Sequence, residues 1–285
     1  MAWAIYILKL LNKVLQKTDI IFIMEPYYKL KVIKKSYKIR PVDIIVLSNN
    51  GLSTTKEFLD FLYTNTDSED FRLIFIDNGS IDGTVDFLKT FFKDLKDVIF
   101  ISSETNLGVI DGRNVGYYFS TCTSREKSKY IIHLDNDQFV ADGWLDHHLS
   151  VLNSGYDVVG AEAWKMNKMF IPTDKIESLN KDFNYVGCGG MLIKREVTKK
   201  IGMFDCAFNP SYFEDPDFCF RAFDAGFKIG WNLKSKIVHM PHRTLGNLSQ
   251  EEKTKRFTKS WDAFRKKWGT RRLPVFRQED LKEFH

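Results

Sequence analysis

The chain has 285 residues, 44% of them hydrophobic, which is enough apolar material for a full core and sets general disorder aside. Its four cysteines, Cys122, Cys188, Cys206 and Cys219, show no paired short spacing. That excludes a zinc ribbon or a dense disulfide framework, points to a reducing compartment, and gives Cys188 and Cys219 a structural role.

The formal charge of +5 is concentrated at the two ends. Residues 1–40 carry nine Lys/Arg against two Asp/Glu, residues 250–285 carry eleven against six, and the stretch between is acidic overall. Lys9, Lys13 and Lys17 interrupt the N-terminal apolar run, so it does not read as a membrane span. They fall on one helical face, with Trp3, Ile7, Leu10, Leu11, Val14 and Leu15 largely on the other. Residues 1–40 are therefore expected to form a basic amphipathic segment, lying either on an anionic membrane surface or against the core or a second subunit. A cleaved secretory signal is not expected, because no positive side chain precedes the apolar run and no small-residue cleavage site follows.

After Pro41, residues 42–47 read as a buried strand closed by Ser48-Asn49-Asn50-Gly51. A helix over 54–63 follows, then a strand over 72–76 that ends in Asp77-Asn78-Gly79-Ser80. Asp82-Gly83-Thr84 opens a helix running to 95. A strand over 98–101, a helix over 111–121 and a strand over 130–134 complete the first half, residues 41–140. Strands alternating with helices predict an α/β fold with a mostly parallel, Rossmann-like central sheet and a site at the strands' C-terminal ends. Residues 141–249 read as a mixed half. It has short strands at 158–160 and 191–193, a Gly187-Cys188-Gly189-Gly190 loop, a helix over 215–225 and a strand over 236–238. A basic, aromatic helix over 250–268 opens the C-terminal extension, residues 250–285.

The strongest chemical signal is Leu134-Asp135-Asn136-Asp137, two carboxylates just past an apolar strand, able to reach one hard cation and through it a diphosphate. Asp77, at a strand end, is placed to accept from a base N–H or a ribose hydroxyl; an ordinary turn is the plainer alternative. Asn106-Leu107-Gly108 and Gly112-Arg113-Asn114-Val115-Gly116 set one arginine among small residues, where it can meet a base or phosphate, or merely form a salt bridge. Asp215, at a helix start, suits a general base, because a sugar hydroxyl is a poor nucleophile at neutral pH. Glu214 is expected to hold acceptor hydroxyls, and Asp217 to supply N-terminal helix charge. Asp137 and His239 are candidate metal ligands, with His242 competing for the histidine's place. Trp144, Trp164 and Trp231 are placed in the core rather than on sugar faces.

In this order the signals resemble glycosyltransferase family 2 with the GT-A fold, from about residue 42 to residue 239. The resemblance implies an inverting transfer from a nucleotide-diphosphate sugar, a UDP-sugar in first place, to a hydroxyl acceptor with the help of Mn2+ or Mg2+. It implies Asn50 and Asp77, with the Asn78-Gly79 turn, on the nucleotide base, and Arg113 on the donor beside Asn106 and Gly108. It also implies Asp135 near ribose and metal across Asn136, Asp137 as a direct metal ligand, and His239 completing the metal shell. Gly189 and Gly190 fall beside the donor sugar, and Glu214-Asp215 form the acceptor and base pair. Asn49 departs from the tyrosine usual at its position, which leaves the nucleotide's identity open.

A dinucleotide-dependent oxidoreductase lacks its Gly-x-Gly-x-x-Gly turn here, and a sugar nucleotidyltransferase lacks its Gly-rich basic loop. The basic ends favour a lipid-linked or cell-surface glycan acceptor worked on at the cytoplasmic membrane face. Lys255-Arg256-Phe257, Arg265-Lys266-Lys267-Trp268 and Arg271-Arg272 interleave cations with aromatics, so glycosylation of a modified nucleic-acid base is the second acceptor reading. A non-catalytic glycan-binding protein that keeps the fold is the third reading.

Overall fold

The computed structural model describes residues 21–24, 28–36, 38–122, 127–240 and 248–278. The expected amphipathic helix around Lys9, Lys13 and Lys17 lies outside the described residues, as does His242. Among the described residues, no helix is long and apolar enough to cross a membrane.

A hairpin of β1 (Ile21–Met24) and β2 (Tyr28–Lys34) leads into strict alternation: β3 (Val42–Ser48), α1 (Leu52–Thr64), β4 (Phe71–Asp77), α2 (Thr84–Phe91), β5 (Val98–Ser103), α3 (Val109–Cys122) and β6 (Tyr130–Asp135). There follow β7 (Gln138–Val140), α4 (Trp144–Asn153), β8 (Val158–Gly160), β9 (Ala163–Met166), β10 (Pro172–Lys175), β11 (Asp182–Phe183), β12 (Tyr185–Val186), β13 (Met191–Lys194) and α5 (Arg195–Ile201). After a 3-10 turn at Cys206–Phe208 come α6 (Glu214–Asp224), β14 (Ile229–Trp231), β15 (Ile237–His239), α7 (Gln250–Trp268) and β16 (Phe276–Arg277).

The expected elements recur, with three differences. Residues 28–34, read from their lysines as part of a basic segment, form β2, whose apolar alternates Leu30 and Val32 are buried while Lys29 and Lys31 face out. The helix after Gly83 stops at Phe91 rather than 95. The C-terminal helix is not a free extension: Ser260 and Phe264 are fully buried and Trp268 nearly so.

Nine strands form one sheet in the order β1-β2-β5-β4-β3-β6-β13-β8-β14. Strands β5, β4, β3 and β6 run parallel, while β2 and β13 flank them antiparallel. The sheet passes through both halves of the chain without a break. Buried residues alternate between its faces: Ile44, Val46, Leu73 and Phe75 pack under α1 and α2, while Ile45, Ile74 and Ile76 meet Val115 and Phe119 of α3.

Two consequences place the site. From β3 the chain winds outward through β4 and β5, then returns to lay β6 on β3's other side, so the crevice between the C-terminal ends of β3 and β6 is the topological switch point. There the register sets Leu47 beside Asp135 and Ser48 beside Asp77. Helix α3 lies unusually close to β3: a Cβ on Gly112 would fall 2.5 Å from Leu47 Cδ1, and one on Gly116 2.4 Å from Ile45 Cγ2. Small residues one turn apart therefore seat the helix that carries Arg113.

The opposite end of the sheet is tied by a buried ionic cluster. Arg72 donates to both carboxylate oxygens of Asp43 at 2.9 and 2.8 Å, and Arg195 and Ser120 donate to Asp43 Oδ2 at 2.9 and 2.5 Å. All four side chains are at most 5% exposed. Two guanidiniums on one carboxylate are tolerable in a dry core only while the carboxylate remains. Asp43→Ala should therefore cost roughly 3–5 kcal/mol of unfolding free energy in a urea titration at neutral pH. A loss under about 1 kcal/mol would show the cluster to be energetically idle.

Candidate active site

A cavity of about 550 Å³ opens at the switch point. The ends of β3 and β6 line one wall and residues 210–216 the other, and the 106–113 segment joins them, with Val109 N donating to Pro210 O at 2.7 Å.

Asp135 ends β6, and Asp137 stands in the tight turn before β7. Between them Asn136 points inward, donating to Ser48 Oγ and Thr55 Oγ1 at 3.1 Å each, so its amide fixes the turn to β3 and α1. Strand β15 pairs with β7 so that His239 lies opposite Gln138, and Met240 N donates to Asp137 O at 2.9 Å. The pairing brings His239 Nε2 to 3.4 Å from Asp137 Oδ1. Ligand atoms of Asp135, Asp137 and His239 all lie within 4.8 Å of one another, which is the donor set of a divalent-cation site. The hydrogen bond to Asp137, and the charge of Asp135 beyond it, raise the His239 pKa, so the imidazole holds its proton more firmly than a free one. Gly189 backs Asp135: a Cβ there would sit 2.7 Å from Asp135 Oδ2. Gly190 N donates to His133 O at 2.7 Å.

Glu214 and Asp215 begin α6 on the facing wall. Burial pushes both carboxyls above the usual carboxylate range, and for Asp215 the neighbouring Glu214 charge adds to it. Arg113 connects the two walls. One guanidinium nitrogen donates to Glu214 Oε1 at 3.0 Å and the other to Asp135 Oδ1 at 2.6 Å. The expected donor-facing arginine is thus engaged by the protein's own carboxylates, while still lining the cavity.

The remaining candidates form the nucleotide-facing rim or its supports. Asn50, at φ 48°, accepts from Ile81 N at 2.8 Å and lines the cavity. Asn78 donates to Asn106 Oδ1 at 3.2 Å and Gly108 O at 3.1 Å, and accepts from Leu107 N at 2.8 Å, lacing two loops together. Gly79 and Gly108 take φ of 78° and 86°, and a Cβ on either would collide with the adjacent loop. Asp77 is fully buried beneath its turn. Its Oδ2 accepts from Ser80 N and Ser102 Oγ, and Oδ1 has no partner. Asp77 is not among the cavity-lining residues.

Of the tryptophans, Trp144 and Trp231 are buried in the core, and Trp164 is half-buried on β9. Asp217 is far more than an exposed helix-start charge. It is fully buried and takes Arg221 Nε at 2.7 Å, Lys267 Nζ at 2.7 Å and Trp268 Nε1 at 2.9 Å. Cavity residues that sequence reading did not assign include Tyr185, Ser211, Arg256 and Phe257. The last two belong to the basic-aromatic run that had pointed to nucleic acid. Elsewhere in that run Lys267 pairs with Asp205 and Asp217, Arg271 with Asp224, and Arg265 lies over the Trp261 ring.

The sequence model of glycosyl transferase family 2 matches residues 43–207. A curated relative, the uncharacterized protein y4gI of Sinorhizobium fredii (strain NBRC 101917 / NGR234), is 22% identical over 264 residues; the match covers 80% of this chain but only 28% of the relative's length. Similar solved structures include S. aureus TarS 1–349, at 14% identity and TM-score 0.52, with 79% of this chain and 72% of that one covered. Another is GalNAc-T7 with UDP, GalNAc and Mn2+, at 14% identity and TM-score 0.59, covering 71% and 44%. A third is the Pyrobaculum calidifontis mannosyltransferase PcManGT with GDP-Man and Mn2+, at 13% identity and TM-score 0.56, covering 85% and 66%. These structures share the GT-A fold, and because the family match takes in more than half of its residues, the chain belongs to glycosyl transferase family 2.

Proposed function

We propose that the chain transfers a sugar from a nucleotide-diphosphate donor, a UDP-sugar in first place, to a hydroxyl acceptor with inversion at the anomeric carbon. The observation that carries this reading is that Asp135, Asp137 and His239 face the same cavity as Glu214 and Asp215. One end of the cavity is built for a cation and diphosphate, the other for a proton acceptor.

The trio fits a divalent ion on its chemistry. Two hard carboxylates and an imidazole with ligand atoms within 4.8 Å of one another call for a positive charge. The imidazole favours Mn2+ over Mg2+, and Mn2+ accompanies UDP and GalNAc in GalNAc-T7 and GDP-Man in the P. calidifontis mannosyltransferase. Bound there, the ion would stabilise the charge developing on the leaving diphosphate.

The protein's own residues do the rest. Arg113 holds Glu214 in place for the acceptor hydroxyls, and Asp215 takes the proton from the attacking hydroxyl. Asn50 and the Asn78–Asn106 lacing form the nucleotide rim, and Gly189 lets the backbone pass close behind Asp135. The acceptor enters past Tyr212, Phe257 and Arg256, a mixed aromatic and cationic mouth suited to a sugar ring near a negative group, as in a lipid-linked or cell-surface glycan.

Two measurements test this. First, UDP-, GDP- and dTDP-sugars should raise the melting temperature in the presence of Mn2+ and not in excess chelator, because a ligand specific to the folded state stabilises it by mass action. Asp137→Ala should lose the Mn2+-dependent shift while its own melting temperature stays near wild type. A chelator-insensitive shift for every donor would rule out the metal assignment.

Second, Asp215→Asn should lower turnover by about 10²–10⁴-fold with donor affinity nearly level. Because the Asp215 pKa is raised, the active carboxylate form accumulates as pH increases, so the acid limb of kcat/KM should lie above the usual carboxylate range and vanish in this variant. A product whose NMR coupling constant shows a retained anomer would refute the single-displacement mechanism.

A further inference from the structure

The family match ends at residue 207, and the candidate base lies beyond it at 215. Immediately before Glu214, Tyr212 and Phe213 adopt φ of 75° and 69°. Two consecutive bulky residues in the left-handed region are a strained backbone that persists only when its surroundings impose it. The elements that impose it come from α7.

Residues 257, 260, 264 and 268 recur on one helical face. Phe257 packs on Tyr212 and Phe213 with centroids 5.8 and 5.2 Å apart, and Phe264 lies 5.2 Å from Phe213. Ser260, fully buried, donates to Ser211 O at 2.8 Å and Phe208 O at 3.2 Å, gripping the chain just before the turn. One turn into α6, Asp217 receives the indole N–H of Trp268 and the ammonium of Lys267, so the same helix grips the chain just after it.

We propose that α7 is a positioning element, in which Ser260 upstream and Trp268 downstream bracket the left-handed Tyr212–Phe213 turn and thereby aim Glu214 and Asp215 into the cavity. The inference rests on the reading of Asp215 as the base, but the bracketing can be measured without it. A polar hydroxyl in a fully buried position facing two backbone carbonyls is a poor choice for core filling alone, and so is an indole N–H spent on a buried carboxylate. Both make sense where a loop must be held in one geometry.

The test uses Ser260→Ala, which removes the two upstream hydrogen bonds, and Trp268→Phe, which removes the downstream one while keeping an aromatic ring. Should one variant fail to fold, the other carries the comparison. With the donor identified by the melting panel, each should lose about tenfold to a hundredfold in kcat, the usual cost of a small misplacement of reacting groups, with donor Kd within about twofold of wild type. Hydrogen exchange should quicken at amides 211–217 while those of β3 and β6 keep their protection. Unchanged turnover, a parallel loss of donor affinity, or uniformly faster exchange across the sheet would overturn the proposal. If wild-type protein turns over no donor, the enzymatic reading fails by itself, and the exchange pattern alone then decides whether α7 holds the turn.

Discussion

One guanidinium sets the terms for this site. Arg113 sits between two acidic walls and donates to a carboxylate on each. Without that fork, Asp135 and Asp137 on one side would face Glu214 and Asp215 on the other with no buried cation from among the described residues that line the cavity. Carboxylates crowded in a cavity of low polarity repel and take up protons. A planar, permanently charged group with donors in two directions holds a carboxylate of each wall at a fixed separation, which a lysine's single point charge would not. The seat of that guanidinium is in turn fixed by how closely α3 lies on β3.

The first half of the fold was legible because its strands are buried on both faces and its helices carry simple apolar stripes. Continuous runs such as 42–48 and 71–77 have few other destinations than a parallel sheet. The meeting of Asp135, Asp137 and His239 was legible for a related reason. Asp135 and Asp137 are close in sequence, and His239 follows a short strand whose pairing with β7 delivers it.

Legibility declined where a residue's environment is made by distant chain. Nothing local says that Arg113 meets Glu214, because the two are 101 residues apart. Asp217 looked like a solvated helix-start charge, since acidic residues in a first turn commonly are. Its burial comes from Lys267 and Trp268 on a helix that the sequence marked only as basic and aromatic. Likewise β2 was hidden by its lysines: an edge-type strand with one face outward alternates charge and apolar residues, and the charge dominates a composition count.

The two glycines of α3 have a meaning for how such a chain can diverge. Exposed loops, such as the stretch at 167–169, can change length and composition without disturbing the sheet. Gly112 and Gly116 have no such freedom, because a single added methyl at either would meet a β3 side chain within 2.5 Å and lift the helix with its arginine. Variation in what the protein recognises is thus confined to the rim, while the spacing between the two acidic walls is inherited from two positions that never touch a substrate.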